Sequence, residues 1–377
     1  MADLLPRTDE EILGRSGVDD LDAILAITTK DDGKPGMDVP SAYDTHFTWD
    51  YEQGSRPKLA RLYEKAKGSQ WNAQTDLPWE TEVDQEKVVA ANAAAANGMD
   101  GNIDWSDTPM AKWGDKEWLQ FGMESQNWTL SQFMHGEQGA LVCTARIVET
   151  VPWIDAKYYA ATQVMDEARH VEVFAKYLDE KLSGHYPLNA HLRMLLEDII
   201  ADSRWDMTYL GMQIMVEGLA LAAFGFMHQL STEPLLKQLL RYVMSDEARH
   251  VAFGVLSLQD HYQELTSAEL MERQEFCFEA AVRMRDRFLQ QEVFERFGID
   301  VKVAVQKAKD APDRQLFQQL LFSKIVPNCK KLGLLDANDG WLRHRFEEIG
   351  VIQFEDMPDT GEEYAMFQLA EGETSAA

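Results

Sequence analysis

Cysteine is scarce. Cys143, Cys277 and Cys329 are the only three, and their spacing matches neither a disulfide framework nor a zinc site. Cys143 is expected as a small buried hydrophobe. No apolar run in the sequence reads as long enough to span a membrane. The opening Met-Ala-Asp-Leu-Leu-Pro-Arg lacks the apolar region of a signal peptide, so a soluble, cytoplasmic protein is expected. Basic residues are outnumbered, 36 Lys and Arg against 64 Asp and Glu. The formal net charge of −28 weighs against nucleic acid, anionic membranes and acidic carrier proteins as partners. Strand patterning is missing too, and the one internal repeat, of 80 residues, is too long and too few in copies for a solenoid. What remains is 377 residues, 45% of them hydrophobic: enough for a sizeable helical core, in one large domain or two small ones.

That repeat carries the chemistry. Asp166-Glu167-Ala168-Arg169-His170 recurs 80 residues later as Asp246-Glu247-Ala248-Arg249-His250. Each copy has a glutamate 30 residues upstream of its own, Glu137 and Glu217. Residues at i and i+3 share a helix face, so Glu167 with His170, and Glu247 with His250, can each aim an oxygen and a nitrogen at one point. The midpoint of 137 and 167 is Pro152, and that of 217 and 247 is Thr232, just before Pro234. Both are places for a helical hairpin to turn. Glu137 should therefore face Glu167 across one hairpin, and Glu217 should face Glu247 across the other. Four carboxylates and two imidazoles suit two metal ions, and burying those carboxylates without a cation would be very costly. Imidazole with hard carboxylates favours iron or manganese over zinc or copper.

This pattern resembles the ferritin-like di-iron carboxylate superfamily, whose bundles take a Glu from each of two helices and Glu-x-x-His from the other two. More narrowly, Glu followed about thirty residues later by Asp-Glu-x-Arg-His resembles its O2-activating branch. That branch holds ribonucleotide reductase small subunits, multicomponent monooxygenases, acyl-carrier-protein desaturases and N-oxygenases. The resemblance covers residues 118–262. It implies two irons, with manganese–iron as the alternative, held by Glu137, Glu167, His170, Glu217, Glu247 and His250, and no catalytic residues beyond these ligands. It pairs Asp166 with His250 and Asp246 with His170 behind the ligands, and leaves Arg169 and Arg249 to offset or bind those carboxylates. The partners it implies are O2, a small organic substrate and an electron donor, with a homodimer as a further expectation. The expected reaction is hydroxylation, N-oxygenation or desaturation. A radical-generating reductase-like subunit and a non-catalytic iron-binding protein are the alternatives.

The chain departs from particular relatives. Where radical-generating subunits place a tyrosine, four residues after the first-motif histidine, it has Phe174. N-oxygenases similar to the p-aminobenzoate enzyme carry a further histidine four residues before the last motif's glutamate, where this chain has Val243. Hydroxylases place a threonine where it has Leu221. One helical turn from the ligands, Gln163, Phe174, Gln213, Leu221 and Phe224 would line a substrate cavity.

The expected architecture is all-α, a four-helix bundle with additional flanking helices. Residues 1–112 form an N-terminal arm with short helices at 58–67 and 83–96, the latter stopped by Asn97-Gly98, and a connector that could start a helix near Trp79. Residues 113–262 form the bundle, with ligand helices at 116–149, 155–182, 205–229 and 233–261 and a crossover helix at 188–202. Residues 263–353 flank it, with one long helix at 266–297 and another at 301–330 broken near Pro312. Residues 354–377 read as an acidic, flexible tail.

Overall fold

Two helical hairpins carry the repeat. Helix α5 (Asp115–Thr150) ends where Val151 turns extended before Pro152, and α6 (Ile154–Lys181) starts two residues later. The second hairpin pairs α8 (Trp205–Leu230) with α9 (Pro234–Tyr262). Its turn is held by Glu233, whose carboxylate accepts from the backbone N–H of Leu235 at 2.7 Å and of Leu236 at 2.6 Å while Pro234 opens the helix. The same carboxylate accepts from the Tyr177 hydroxyl at 2.9 Å, which ties this turn to α6 of the other hairpin. Both turns therefore lie at the midpoints of the Glu pairs.

The computed structural model describes residues 5–29, 36–40, 45–52, 56–96 and 103–362. The Asn97-Gly98 stop and the tail beyond Glu362 lie outside these residues. Among the described residues there is no strand, and the fold is all-α. Before the bundle come α1 (Asp9–Leu13), α2 (Leu21–Ala26), α3 (Pro57–Gly68) and α4 (Gln85–Ala96). No helix starts at Trp79. Its indole donates to the Ala73 carbonyl at 2.6 Å, which folds the segment back on itself. Helix α3 packs across α6 and α9, and α4 lies on α5.

The crossover helix α7 (Ala190–Ala201) is capped by Asn189 and wedged against both hairpins. A Cβ at Gly139 of α5 would sit 2.5 Å from Leu196, and one at Gly211 of α8 would sit 2.6 Å from Ile199. The two glycines let one helix approach both ligand-bearing hairpins, locking them together.

Three features depart from the sequence expectations. Trp205–Leu230 does reach the length and hydropathy of a membrane span, but 78% of its most apolar window is buried inside the protein, as for a core helix. Within it, Leu210–Val216 is π-helical, immediately before Glu217. The long helix expected at 266–297 is broken. Helix α10 (Ser267–Asp286) gives way to a 3-10 turn at Arg287–Leu289 and a left-handed Gln290 (φ 55°), and α11 (Gln291–Arg296) follows. Further on, α12 (Val301–Asp310) and α13 (Pro312–Leu320) meet at the expected proline, and α14 (Ile325–Lys331) and α15 (Ala337–Glu348) complete the flank.

The N-terminal arm docks on this flank rather than only on the bundle. Arg7 pairs with Glu275 at 2.7 Å, and the buried Arg15 with Asp286 at 2.7 Å. A second small core joins Ile24 of the arm to Leu289, Phe294 and Ile299. All three cysteines are free and buried. The Cys277 thiol lies against that of Cys329, a proximity that their 52-residue separation in sequence did not suggest.

Candidate metal centre

The two hairpins bring all six repeat residues to one point. Glu137, Glu167, His170, Glu217, Glu247 and His250 are each at most 5% exposed. The imidazoles face each other with ring centroids 5.8 Å apart. Each turns its Nε2 outward to an aspartate of the opposite motif: His170 to Asp246 at 3.2 Å and His250 to Asp166 at 3.3 Å. The Nδ1 atoms turn inward, to carboxylates.

The inward distances sort the glutamates. His170 Nδ1 lies 3.5 Å from Glu167 Oε2 and 3.0 Å from Glu247 Oε1. His250 Nδ1 lies 3.0 Å from Glu167 Oε1 and 3.6 Å from Glu247 Oε2. Glu167 and Glu247 thus each offer one oxygen to either imidazole, the placement of bridging ligands. Glu137 stands only beside His170, at 3.3 Å, and Glu217 joins the group around His250. Two donor sets result: Glu137, Glu167, Glu247 with His170, and Glu167, Glu217 with His250, each with its donor atoms within 4.8 Å of one another.

Do these residues fit metal ions? Glu167 Oε2, Glu217 Oε2, both oxygens of Glu247 and His250 Nδ1 are buried and make no hydrogen bond. The 3.0 Å approaches of His170 Nδ1 to Glu247 and of His250 Nδ1 to Glu167 are not hydrogen bonds, so lone pairs converge there on shared points. Buried polar atoms in native proteins are nearly always satisfied, so this many orphans in one place is the signature of ligands to a cation. The residues fit two.

Protonation follows the same logic. Burial, together with the Glu247 charge, pushes the Glu137 carboxyl up to about 8, and burial beside Glu167 and Glu247 holds Glu217 well above the usual carboxylate range. Burial alone would lower both histidines, but the surrounding carboxylates raise them well above their ordinary value. Glu167 is held below the usual range, since His250 and His170 outweigh its burial.

Asp166, Asp246, Arg169 and Arg249 form a buried layer behind the ligands. Each arginine pairs with the aspartate of its own motif and reaches the other motif's aspartate at 3.5 Å. Two members of this layer gave no signal in the sequence. The Trp71 indole donates to Asp246 Oδ2 at 2.8 Å, and Gln70 Oε1 accepts from Arg169 at 2.5 Å. Both come from the connector after α3, 175 and 99 residues from their respective partners, where neither spacing nor repeat marks them.

The five expected cavity residues divide. The Gln163 amide donates to Glu167 Oε1 and Glu217 Oε1, both at 3.0 Å, so it touches the centre itself. Its repeat counterpart is Val243, which is buried and apolar, so the two donor sets are not equivalent. Phe174 and Phe224 stack at 5.6 Å, and Phe133 closes on Phe224 at 4.8 Å; these rings fill the space between them. Gln213 is wholly buried, neither end of its amide has a partner, and it packs where a Cβ on Gly254 would lie 2.6 Å away. Leu221 lies on the ligand face of α8 and is 8% exposed. A cleft of about 430 Å³ lies elsewhere, around His46, Arg204, Trp205 and His261. Sequence reasoning also passed over Arg287. It is buried beside this centre, and burial draws its guanidinium down to about 10 while the Glu137 charge opposes that fall.

The family model described as p-aminobenzoate N-oxygenase AurF matches residues 147–333, which carry five of the six donors. That match spans just under half of the chain and supports a likeness to the ferritin-like di-iron oxidase superfamily. The likeness supports an O2-dependent oxidoreductase, and the buried carboxylate and histidine cluster is able to hold two metal ions. Among solved structures, it is similar to an R2-like ligand-binding oxidase with aerobically reconstituted metal cofactor after photoconversion. There the identity is 17%, 75% of this chain and 95% of that chain are covered, and the TM-score is 0.49. A point variant of that oxidase with anaerobically reconstituted Mn/Fe cofactor gives 18%, the same shares and 0.49. No curated protein sequence matches significantly.

Proposed function

We propose that this protein holds two metal ions in the donor sets described above and oxygenates a small organic substrate at them, by N-oxygenation or hydroxylation. The observation that carries the proposal is the convergence of unpaired carboxylate oxygens and a ring nitrogen at two adjoining points. Bound iron, or manganese with iron, supplies O2 reduction and the oxidising equivalents.

The chain's own part is geometric and electrostatic. Asp166 and Asp246 accept from the outward N–H of each imidazole, which fixes the tautomer that leaves Nδ1 free to coordinate. Four glutamates neutralise two divalent charges, so the loaded centre carries no net charge in the apolar bundle. Gln163 steadies Glu167 and Glu217 and makes the second donor set unlike the first. The packed rings of Phe133, Phe174 and Phe224 exclude water on one side. Phe174 also leaves no phenol one turn from His170, which favours oxidation of a substrate over storage of a tyrosyl radical.

Elemental analysis of protein produced with iron should find close to two metal ions per chain. The Glu137→Ala, Glu247→Ala double variant should lose most of both, and full occupancy in it would refute the ligand assignment. Reduced, metal-loaded protein given O2 and an aromatic amine such as p-aminobenzoate should consume O2 and form an oxygenated product. Multi-equivalent iron loading with no organic product would point instead to iron storage.

A further inference from the structure

The bundle interior differs on the two sides of the metal centre. One helical turn towards the Glu233 turn, the ligand faces carry Phe133, Phe174, Leu221 and Val243, all apolar and buried. One turn the other way, towards Pro152, α6 and α8 place Gln163 and Gln213, and a further turn on come Thr144, Tyr209 and Ser257. These five are wholly buried. Gln163 Oε1, both ends of the Gln213 amide and the three hydroxyls have no hydrogen-bond partner among the described residues. Buried polar atoms are nearly always satisfied, so five such side chains on one side of the centre need an account.

Gln213 shows that the arrangement is built. Helix α8 swells into a π segment over Leu210–Val216 around it, and π segments inside helices gather at functional sites. On α9, Gly254 leaves room for it, since a Cβ there would lie 2.6 Å from Gln213 Cβ. Core packing asks for neither device. A leucine in that place would bury apolar surface and leave no amide to satisfy.

The polar side also has an outlet. Trp205, Tyr209, Gln213 and Glu217 recur every four residues along α8, a rise of about 18 Å from first to last. Tyr209 meets Phe253 of α9 with ring centroids 5.0 Å apart, and meets Trp205 edge-on at 5.6 Å. Trp205 in turn meets His261 at 4.7 Å. Trp205 and His261 line the cleft of about 430 Å³, together with Thr150, Ser203 and Asp206. The unpaired groups therefore run from the ligands to an opening at the end of the bundle.

We propose that these groups line a hydrated path between that cleft and the metal pair, with Gln213 positioning water at its inner end. Water is small enough for a packed bundle, and it both donates and accepts, as an amide and three hydroxyls require. The path carries water and protons between solvent and the centre, while the packed rings of Phe133, Phe174 and Phe224 keep the opposite side dry. This rests on the metal assignment above and holds whichever substrate is oxidised.

Solvent relaxation tests this without turnover. The relaxation of water protons would be measured for protein loaded with Mn(II), against metal-free protein. The wild-type centre should exchange with bulk water and speed its relaxation. Thr144→Val, Ser257→Ala and Gln213→Leu should each slow that exchange by about tenfold, the effect of losing one buried hydrogen bond, while manganese stays near two per chain. Thr144→Ser keeps a hydroxyl and should retain the wild-type exchange. Leu240→Ile, buried on the apolar side, should leave it unchanged. Exchange undiminished in Thr144→Val and Gln213→Leu, or slowed equally in Leu240→Ile, would overturn the proposal. So would a manganese-loaded wild-type protein that shows no exchange, a result that needs no variant to fold. Failure of the metal assignment would appear separately, as absent manganese in the wild-type protein.

Discussion

At the scale of single residues, the centre depends on groups that never touch a metal. Asp246 accepts from His170 and from Trp71 while pairing with Arg249, so three elements meet on one carboxylate. Asp246→Ala should weaken iron affinity by about 10–100-fold, the usual effect of losing a partner behind a metal-binding histidine. Trp71→Phe removes one hydrogen bond to that carboxylate and keeps the ring, so a smaller loss of about fivefold is expected. Competition against a chelator of known affinity measures both. Equal effects from the two variants would show that the tryptophan, not the aspartate, sets the imidazole. The sequence made Asp246 visible because it repeats at Asp166. Trp71 was invisible because a long-range hydrogen bond from a connector leaves no periodic trace.

At the scale of elements, the repeat made the four ligand helices and both turns legible. It revealed the spacing of the donors, and antiparallel packing did the rest. What it hid were interruptions within helices. The π segment at Leu210–Val216 carries no glycine–proline signal, since Gly211 is there for the close approach of Ile199. The break at Gln290 was hidden in the same way, because the residues are ordinary helix formers and tertiary packing overrides them. The π segment inserts one extra residue into the turn before Glu217, so it sets which way Glu217 faces relative to Trp205–Tyr209. Deleting Met212 should return this stretch to an α-helix and rotate one side against the other by about 100°. The expected result is either a metal content near one per chain or a marked fall in melting temperature, according to which side gives way. Unchanged metal content together with unchanged melting would show that the segment has no part in placing Glu217.

At the scale of the whole molecule, the centre couples metal, protons and stability. In the metal-free protein, Glu137 titrates near 8 and Glu217 well above the ordinary range, and both histidines are raised. All four groups therefore hold protons in the folded state that the unfolded chain gives up at lower pH. Their contribution is fully present below the unfolded values, roughly 4.3 for Glu and 6.5 for His, and is lost as pH rises through the folded ones. Glu167 and Asp246 have the opposite sign, but they lose their stabilisation only in acid, outside this window. Between about pH 6 and 9 the metal-free protein should become less stable, by about 1.4 kcal/mol per pH unit for each proton the fold retains. Metal ions displace those same protons, so their affinity should rise about tenfold per pH unit for each proton released. The general repulsion from a net charge of −28 acts on both forms and cancels in their difference. The gap in melting temperature between metal-loaded and metal-free protein should accordingly widen from pH 6 to pH 9. Scanning calorimetry of the two forms across that range measures it. A gap that is constant or narrows would mean that the carboxylates are already ionised without metal, and that some other cation compensates them in the folded protein.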